Sequence, residues 1–336
     1  MSLALLPWLK FALCACLIAV AGPALARSGE TIARITGISR SWIGLVLLAT
    51  ATSLPELFTG VSAAAAAVAP DIAVGDALGS CVFNLVLLVL LDVFGPREPS
   101  YRRMEQGHML TAAFGVVLIG LVGALLLVGR GDLDLRIFHI GIYTPLLIIL
   151  YFGAMRALYV HQRGNGVVAS PDEAAPPMGL RAAILRYVAA AVVIAVAGSW
   201  LPFVGLEIAG VMGWGTSFVG TILIATATSL PELVVTVAAA RLGAVDMAVG
   251  NLLGSNLFNI LVIAIDDLAY AEGSLLAAAS PVHAGSAFAA VIMSGMFIAA
   301  LLQRSRAPAF GRLGWMSLLL PGAYLLNAYA TFQLAR

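Results

Sequence analysis

Two glutamates stand inside long apolar stretches of this chain, and both belong to the same nine-residue motif. Glu56 lies in the run Ala49–Leu57 and Glu232 in the run Ala225–Leu233, and both runs read Ala-Thr-Ala-Thr-Ser-Leu-Pro-Glu-Leu. An ionisable side chain at the centre of a membrane helix costs roughly 2.5–3.5 kcal/mol on insertion scales, so it usually faces a polar cavity or a partner. The two glutamates therefore predict a buried polar site.

A second motif follows each glutamate. Residues 71–84 and 246–259 agree at nine of fourteen positions, so the chain contains an internal duplication. Ser80 precedes Asn84 by four residues, and Ser255 precedes Asn259 in the same way, which places each pair on one helix face. Together with the glutamates they form an all-oxygen set, which suits a hard cation such as Ca²⁺ or Na⁺ and does not suit zinc or copper.

A proline just before each glutamate predicts a kinked helix. Pro55 and Pro231 remove an amide donor and clash with the carbonyl four residues back, which frees main-chain oxygens near Thr52 and Thr228. In a bilayer such oxygens need a partner, and a cation is a suitable one. Thr52 also lies four residues before Glu56, hence on the same helix face.

The composition is that of a polytopic membrane protein. Of 336 residues, 61% are hydrophobic and only 10% are charged, and the mean hydropathy is +1.02. Cys14, Cys16 and Cys81 lie in apolar stretches, which predicts packing or lipid-facing roles and no disulfide framework. The basic residues are scattered over short loops and give no indication of nucleic-acid binding.

The apolar segments predict an all-α protein with ten transmembrane helices, arranged as two inverted five-helix repeats. The predicted spans are 4–26, 42–68, 72–94, 108–128, 135–158, 182–203, 214–240, 245–269, 282–302 and 313–334. The first repeat covers residues 1–161, a cytoplasmic linker 162–180, and the second repeat 181–336. Because each repeat has an odd number of spans, the second copy enters the membrane in the opposite orientation, and the two motifs meet near the bilayer midplane.

The basic residues predict the orientation. On one side of the ten spans lie Lys10, Arg130, Arg136 and Arg336, and the other basic residues of the chain lie on the opposite side. The positive-inside rule makes that richer side cytoplasmic and places both termini outside. The short loops and the arginine bias favour a bacterial inner membrane.

The first span has an alternative interpretation as a cleaved signal peptide. Lys10, the apolar run 11–20 and the small residues at 24–26 fit such a leader. The duplication favours a retained helix, because the second motif is preceded by an apolar segment at 182–203 that needs a counterpart.

The paired motifs resemble the alpha repeats of the sodium/calcium exchanger family, within the cation/calcium antiporter superfamily. The resemblance rests on two Ser-Leu-Pro-Glu copies, each followed by Gly-Asx-x-x-Gly-Ser-x-x-Phe-Asn. It implies a secondary active antiporter, not an enzyme, that exchanges Ca²⁺ for Na⁺ by alternating access, with no cofactor and no protein partner. It further implies Ca²⁺ ligation by Glu56, Glu232 and the backbone of Thr52 and Thr228, Na⁺ ligation by Ser53, Ser80, Ser229 and Ser255, and a centre lined by Asn84 and Asn259.

Several positions depart from that family pattern. Ala51 and Ala227 replace a frequent Gly, Asp76 stands where Asn is usual, and Cys81 stands where the second copy keeps Asn256. Asp76 brings an additional charge that can alter proton or ion coupling. Asn259, where some relatives carry Asp, weighs against potassium-dependent exchange.

Three other kinds of function are weighed beside sodium-driven exchange. The same carboxylates, with Asp76, fit a Ca²⁺/H⁺ antiporter, although a pure proton cycle needs no serines or asparagines. An intramembrane aspartyl protease needs a paired Asp motif of the Gly-x-Gly-Asp form, and Ala73 stands in place of its first glycine. A channel or a non-conducting sensor agrees less well with inverted repeats and kinked helices.

The remaining polar residues are interpreted structurally. Asp92, Asp266 and Asp267 lie at span ends and are expected to be solvated, and Asp71 and Asp246 are expected to be helix N-caps. The four histidines show no ligand spacing and receive no role; they are His108, His139, His161 and His283.

Overall fold

The computed structural model describes residues 2–36, 48–94, 104–129, 134–164, 178–303 and 314–335. These residues form helices joined by short turns, together with one small β-hairpin. In the first half the helices are α1 (Ser2–Thr36), α2 (Ala49–Thr52), α3 (Leu54–Ala65), α4 (Pro70–Leu87), α5 (Val89–Phe94), α6 (Gly107–Val128) and α7 (Tyr143–Gly164). In the second half they are α8 (Leu180–Met212), α9 (Thr216–Phe218), a π-helical segment (Val219–Ile224), α10 (Ala225–Thr228), α11 (Leu230–Arg241), α12 (Val245–Ala269), α13 (Leu275–Ala278), α14 (His283–Gln303) and α15 (Trp315–Leu334).

The hairpin precedes α7. Its strands β1 (Arg136–Ile137) and β2 (Ile140–Gly141) pair antiparallel, with Arg136 opposite Gly141. The region predicted as span 135–158 therefore begins with a turn, and its helix starts at Tyr143.

Seven of the described helices are long and apolar enough to cross a membrane, and the bent pair Thr216–Thr228 plus Leu230–Arg241 makes an eighth if it counts as one span. The described part of each of the ten predicted spans contains a helix. Two helices are longer than predicted: α1 runs to Thr36 and α8 to Met212. Residues 42–47 of the second predicted span, most of the linker and many of the arginines that set the orientation lie outside the described residues.

The first helix packs along α8. Lys10 Nζ lies 2.7 Å from Glu207 Oε2, and Gly22 lies against Pro231, where an ideal Cβ on the glycine would come within 2.3 Å of the proline ring. The outward faces of both helices remain apolar and exposed, for example at Val20 and Leu185. Such faces are what a helix presents to lipid, so α1 is an integral part of the helical bundle.

The motif helices α4 and α12 form the centre of the fold. Both are buried over most of their length. The glycine spacing in α4 permits a close helix contact: an ideal Cβ on Gly79 would lie 2.2 Å from the carbonyl oxygen of Thr221 in the π-helical segment. Only a residue without a side chain fits there, so α4 packs directly on the backbone that leads into the second motif.

The aspartates at the helix ends are buried, so the prediction that they are solvated is wrong. Asp92 is 1% exposed, while Asp266 and Asp267 are fully buried. Asp92 accepts hydrogen bonds from Gly314 N at 3.2 Å and Ser317 Oγ at 2.5 Å, at the start of α15. Asp267 accepts from Gly141 N, Tyr143 Oη, Thr144 Oγ1 and Leu275 N, at 2.5 to 2.9 Å. Asp92 and Asp267 therefore tie helix starts distant in sequence to the central helices, as buried carboxylates require.

The N-cap interpretation of Asp71 and Asp246 is also wrong. The N-caps of α4 and α12 are Ala69 and Ala244, neither of which makes a side-chain cap bond. Asp71 lies within the first turn and accepts from Ser280 N at 2.6 Å, Thr216 Oγ1 at 3.1 Å and His283 Nε2 at 3.2 Å. Asp246 accepts from Glu105 N at 2.8 Å and lies 3.1 Å from His108 Nε2.

Two of the histidines therefore have partners that spacing along the sequence did not reveal. His283 is fully buried and also places Nδ1 3.4 Å from Thr221 Oγ1. His108 and its aspartate are partly exposed. Each pair joins the start of one motif helix to the start of a helix from the other half of the chain. The cysteines are free, with Cys14 and Cys81 buried and Cys16 exposed, as the packing and lipid-facing interpretation predicts.

Candidate ion-binding site

The two helices that carry the glutamates are each broken just before the glutamate. The first break is at Ser53, between α2 and α3, and the second is at Ser229, between α10 and α11. Both serines have nearly the same backbone angles, φ −91° and ψ 12° against φ −84° and ψ 12°. The second break bends the helix by 46°, so the predicted kink is confirmed. Pro55 and Pro231 lie at the start of the following helix, where a missing amide donor costs least.

The broken segments lie against each other, so that each glutamate contacts the serine of the other copy. Ser229 Oγ donates to Glu56 Oε1 at 3.0 Å, and Ser53 Oγ donates to Glu232 Oε1 at 3.2 Å. All four side chains are fully buried. A duplicated sequence thus produces a duplicated, reciprocal contact at the centre of the bundle.

The serines of α4 and α12 complete a ring of hydroxyl groups around the glutamates. Ser80 accepts from Ser229 Oγ at 3.0 Å and lies 3.5 Å from the carbonyl oxygen of Ala225. Ser255 donates to Glu232 Oε1 at 3.2 Å and lies 3.4 Å from the carbonyl oxygen of Ala49. Main-chain oxygens of both broken helices therefore lie beside the side-chain oxygens.

The two threonines occupy equivalent places with unequal partners. Thr52 Oγ1 donates to Asn251 Oδ1 at 3.2 Å, whereas Thr228 Oγ1 donates to Asp76 Oδ1 at 2.8 Å. Asp76 is 1% exposed, so its charge, when present, is buried beside the second motif. Asp76, a position that departs from the family pattern, therefore contacts Thr228, one of the predicted ligand residues.

Amide groups of α4 and α12 contact each other one helix turn beyond the serines. Asn84 Nδ2 donates to Asn256 Oδ1 at 3.1 Å, and Asn256 Nδ2 donates to the carbonyl oxygen of Cys81 at 3.1 Å. Asn259 Nδ2 lies 3.9 Å from Cys81 Sγ. The Asn256 and Asn251 side chains were not among the predicted site residues. Their alignment with Cys81 and Asp76 in the duplicated motif is the signal that identifies them.

Several buried oxygens of these side chains have no hydrogen-bond partner among the described residues. They are Glu56 Oε2, Asp76 Oδ2, Asn84 Oδ1, Glu232 Oε2 and Asn259 Oδ1, and one donor of the same group, Asn251 Nδ2, is also unpartnered. Buried polar atoms are nearly always satisfied in native proteins, so a cluster of exceptions requires a specific cause. A bound cation satisfies several acceptor oxygens at once and supplies the positive charge that two buried carboxylates need.

The oxygen atoms that could bind an ion at this site are of several chemical kinds, and this mixture indicates which cations they suit. Among the residues that the structure describes, no three His, Cys, Asp or Glu side chains converge on one point. The converging atoms are carboxylate, hydroxyl, amide and main-chain oxygens, and neutral oxygens of this kind are ligands of Ca²⁺ and Na⁺. Thiolate and imidazole ligands, which soft metals prefer, do not form the site.

Fold and site together define a multi-pass helical membrane protein with a buried, oxygen-lined centre, which is the class of ion transporters. The profile of the sodium/calcium exchanger protein family matches residues 6–159 and 182–333. The chain therefore belongs to the sodium/calcium exchanger family.

Relatives over most of the chain are antiporters and membrane proteins. The putative antiporter CaxA of Alkalimonas amylolytica is 28% identical over 309 residues, which cover 90% of each chain. The inner membrane protein YrbG of Escherichia coli is 29% identical over 275 residues, 76% of this chain and 80% of that protein. The sodium/calcium exchanger MaX1 of Methanosarcina acetivorans is 28% identical over 264 residues, 70% of this chain and 75% of that protein.

Solved structures share the fold. The sodium-calcium exchanger NCX_Mj superposes with a TM-score of 0.62 at 22% identity, covering 96% of this chain and 97% of that one. Native YfkE superposes with a TM-score of 0.65 at 20% identity, covering 96% and 92%. The chain is thus an integral membrane cation/calcium antiporter by family and a transporter, not an enzyme.

Proposed function

We propose that the protein exchanges Ca²⁺ for Na⁺ across the membrane by alternating access, with both ions bound at the site between the two motifs. The observation that carries this proposal is the cluster of buried acceptor oxygens without donors. Two of these oxygens belong to Glu56 and Glu232 and three to Asp76, Asn84 and Asn259, and oxygens of this kind suit a hard cation, which takes six to eight oxygen ligands when it is Ca²⁺.

Each predicted ligand has a place in this arrangement. Glu56 and Glu232 neutralise a divalent ion, with the backbone of Thr52 and Thr228 adding carbonyl oxygens from the broken helices. Ser53, Ser80, Ser229 and Ser255 contribute hydroxyl oxygens to Na⁺, and Asn84 and Asn259 line the centre. Two Na⁺ ions or one Ca²⁺ ion balance the same pair of carboxylates, so the two cargoes compete for one site.

The proposed architecture is ten transmembrane helices in two inverted repeats, 1–161 and 181–336, joined by a linker at 162–180. The reciprocal contacts support it, because the bond from Ser53 to Glu232 has a counterpart in the bond from Ser229 to Glu56. A pseudo-two-fold axis in the membrane plane generates such pairs and places the site near the midplane. Alternating access then requires one bundle to move against the other around the site.

A Ca²⁺/H⁺ antiporter is the second candidate, and a specific observation favours it. Asp76 is a buried third carboxylate beside the site, and its Oδ2 has no partner among the described residues. A buried carboxylate of this kind is stable when neutral, so it can carry a proton through the cycle. The four serines and the asparagines still favour sodium as the coupling ion.

The proposed location is a bacterial inner membrane, with both termini outside and the basic loops in the cytoplasm. The basic residues outside the spans support the orientation, and the similarity to an inner membrane protein of Escherichia coli supports the location. The proposal includes no cofactor and no protein partner; Ca²⁺, Na⁺ or H⁺ are the transported ions.

Proteoliposomes test the exchange directly. Vesicles containing the wild-type protein and loaded with Na⁺ are diluted into choline buffer or into Na⁺ buffer with ⁴⁵Ca²⁺ outside. We expect Ca²⁺ uptake only when the Na⁺ gradient is outward, and no uptake by Glu232→Gln. The matched control is Glu207→Gln, whose carboxylate is exposed beside Lys10 and away from the site.

The outcomes separate the two candidates. Uptake that ignores Na⁺ but follows an imposed pH gradient assigns the protein to proton-coupled exchange. Ca²⁺ flux that requires neither a Na⁺ gradient nor a pH gradient would contradict antiport. Full activity of Glu232→Gln would show that the ions bind elsewhere.

A further inference from the structure

Asp266 is a buried carboxylate that no contact of the proposed site uses. It is fully buried, and neither of its carboxyl oxygens has a hydrogen-bond partner among the described residues. Its neighbour Asp267, by contrast, accepts four hydrogen bonds. A buried side chain left in this condition is one of the exceptions that call for a specific explanation.

Asp266 lies on the face of α12 that forms the central site. It follows Ser255 by eleven residues and Asn259 by seven, and at 100° per residue these separations bring the three side chains within about 40° of one direction. Seven residues correspond to about 10 Å along the helix axis. Asp266 therefore extends the polar face of the site toward the end of the molecule where α12 ends.

The partner surface is a glycine of α3. An ideal Cβ on Gly60 would lie 2.3 Å from Asp266 Oδ2 and 2.7 Å from Oδ1, so the carboxyl group rests on the glycine backbone. Gly60 follows Glu56 by four residues and lies on the same face of α3. From the central site, α3 and α12 thus run side by side in the same direction, and Asp266 is located between them.

The duplication shows that this feature belongs to one half only. In the aligned motifs Asp266 corresponds to Leu91 and Gly60 corresponds to Thr236. The positions that hold an aspartate and a glycine in contact here are therefore occupied, at the equivalent places in the other half, by a leucine and a threonine. The helix contact does not need a carboxyl group, so packing alone does not account for Asp266.

The surroundings select a proton as the occupant. A hard metal cation needs a shell of oxygen ligands, and the described residues contain no group of three or more His, Cys, Asp or Glu side chains that could hold a metal ion around Asp266. An ionised carboxylate without a partner in a medium of low dielectric constant is unstable, whereas the neutral acid is tolerated.

We propose that Asp266 is a proton-binding residue of the transport cycle. It carries a proton while Gly60 of α3 covers it, and it releases the proton to water when α3 moves away from α12. This movement rests on the proposed alternating access. The titratable groups around Asp266 are Glu56 one turn toward the centre, Asp76 on α4, Asp267 beside it, and Tyr143 and His139 at the hairpin end.

Labelling with a hydrophobic carbodiimide tests proton binding without any transport assay. A protonated carboxyl group adds across the carbodiimide C=N bond, transferring its proton to nitrogen and forming an O-acylisourea that rearranges to a stable N-acylurea. Peptide mass spectrometry of the purified protein then locates the adduct. We expect an adduct at Asp266 that is lost in Asp266→Asn, and none at Asp134, whose carboxylate pairs with Arg136 at 3.1 Å.

The pH dependence of exchange tests the role in the cycle. If one proton must bind to and leave Asp266 in each cycle, Ca²⁺ flux by the wild-type protein depends on pH. On one limb of a plot of flux against pH, the flux then changes by about tenfold per pH unit, which is the limit for a single titrating group. We expect this limb to disappear in Asp266→Asn, which mimics the permanently protonated acid, and in Asp266→Leu, which installs the residue of the first repeat. Gly60→Ala, which displaces the carboxyl group, should shift the same limb.

The two measurements keep this proposal separate from the proposed exchange. An unlabelled Asp266 together with an unchanged pH profile in Asp266→Asn overturns the proton-binding role, even if Ca²⁺/Na⁺ exchange is intact. Labelled Asp266 in a protein without any Ca²⁺ flux contradicts the exchange and leaves the proton site standing. Size-exclusion profiles of Asp266→Asn and Asp266→Leu establish that the variants fold, and removal of an unpaired carboxyl group is expected to raise their thermal stability.

Discussion

The two copies of the motif place their atoms alike but carry different charges. Glu56 and Glu232 receive reciprocal bonds from Ser229 and Ser53, at 3.0 and 3.2 Å. The threonine of the first copy meets the neutral amide of Asn251, whereas the threonine of the second meets the carboxylate of Asp76. The ligand geometry is thus duplicated, while the charge beside it is present on one side only. Under the proposed exchange, both copies supply ligands to the cation, and a third carboxyl group lies beside the second copy only.

The same contrast extends beyond the ligands. Asn84 pairs with Asn256 at 3.1 Å, but the equivalent Asn259 meets the Cys81 thiol at 3.9 Å. The two Asp–His pairs also occupy equivalent positions but differ in burial. In one pair His283 is fully buried, whereas in the other pair, Asp246 with His108, the aspartate is 42% exposed. The glutamates and the Asp–His pairs are kept in both copies, whereas Asp76 and Asp266 are charged residues whose equivalents, Asn251 and Leu91, are neutral.

Replacing either glutamate should have the largest effect and should remove the symmetry of the site. A unit charge about 4 Å from a divalent cation contributes roughly 8 kcal/mol at an effective dielectric constant of about 20. We therefore expect Glu56→Gln and Glu232→Gln each to weaken Ca²⁺ binding by at least about 1,000-fold. Calorimetric titration of the purified protein with Ca²⁺ measures the change. A variant that keeps its affinity would show that its glutamate is not a ligand.

Exchanging Asp76 and Asn251 tests the charge difference itself. An ionised carboxylate about 7 Å from a divalent ion contributes roughly 5 kcal/mol at the same dielectric constant, so Asp76→Asn should weaken Ca²⁺ binding by at least about 30-fold if Asp76 is ionised when Ca²⁺ binds. Asn251→Asp in that background should restore most of the affinity, because it returns the charge to the equivalent position. Ca²⁺ titrations of the single and double variants form the measurement. Failure of the reciprocal change to restore binding would contradict the equivalence of the two sides.

Truncating the two histidines compares the buried pair with the exposed one. Loss of His283 removes a fully buried side chain and leaves the partly buried carboxylate of Asp71 with one donor fewer, which costs about 1–3 kcal/mol. Loss of His108 removes a solvent-screened contact of Asp246 and should cost less than about 1 kcal/mol. Thermal unfolding of His283→Ala and His108→Ala in detergent gives both values. Equal losses would mean that burial does not distinguish the pairs.

Cys81→Asn should have the smallest effect, because it makes the first copy resemble the second without changing any charge. An amide at this position gives Asn259 Nδ2 an oxygen acceptor in place of a thiol, which adds about 1 kcal/mol of stability if the side chain fits. We expect Ca²⁺ flux to stay within about threefold of wild type. Cys14→Ala, a buried cysteine remote from the site, is the control. A large loss of flux in Cys81→Asn alone would assign the thiol a direct role.

Sequence reasoning identified the residues that meet at the centre, because they are unusual for a membrane protein. A Glu in an apolar run is costly, and its recurrence with identical flanks is specific. The helix breaks followed from the prolines, although the structure places them at Ser53 and Ser229. Local chemistry of this kind is readable because it depends on neighbours within one or two helix turns.

The acidic residues near the helix ends show where such reasoning fails. Asp267 was expected in water, yet its donors come from residues 123 to 126 positions earlier and from Leu275. Asp71 was expected to cap its own helix, yet it bonds Ser280 and His283, more than 200 positions away. No pattern along the chain indicates such partners, since any span end with an aspartate looks the same in sequence.

The sequence by itself determined the membrane class, the duplication, the breaks in the motif helices and the identity of the oxygen-rich residues, since these follow from hydropathy, periodicity and proline geometry. Only the tertiary structure decided which copy of the motif supplies each contact and which acidic groups have hydrogen-bond partners. It also showed that the carboxyl group of Asp266 packs on Gly60 without a hydrogen-bond partner among the described residues. The physical reason is that a hydrogen bond or its absence depends on positions within about 3 Å. Helices far apart in the chain reach such distances only through the packing of the whole bundle.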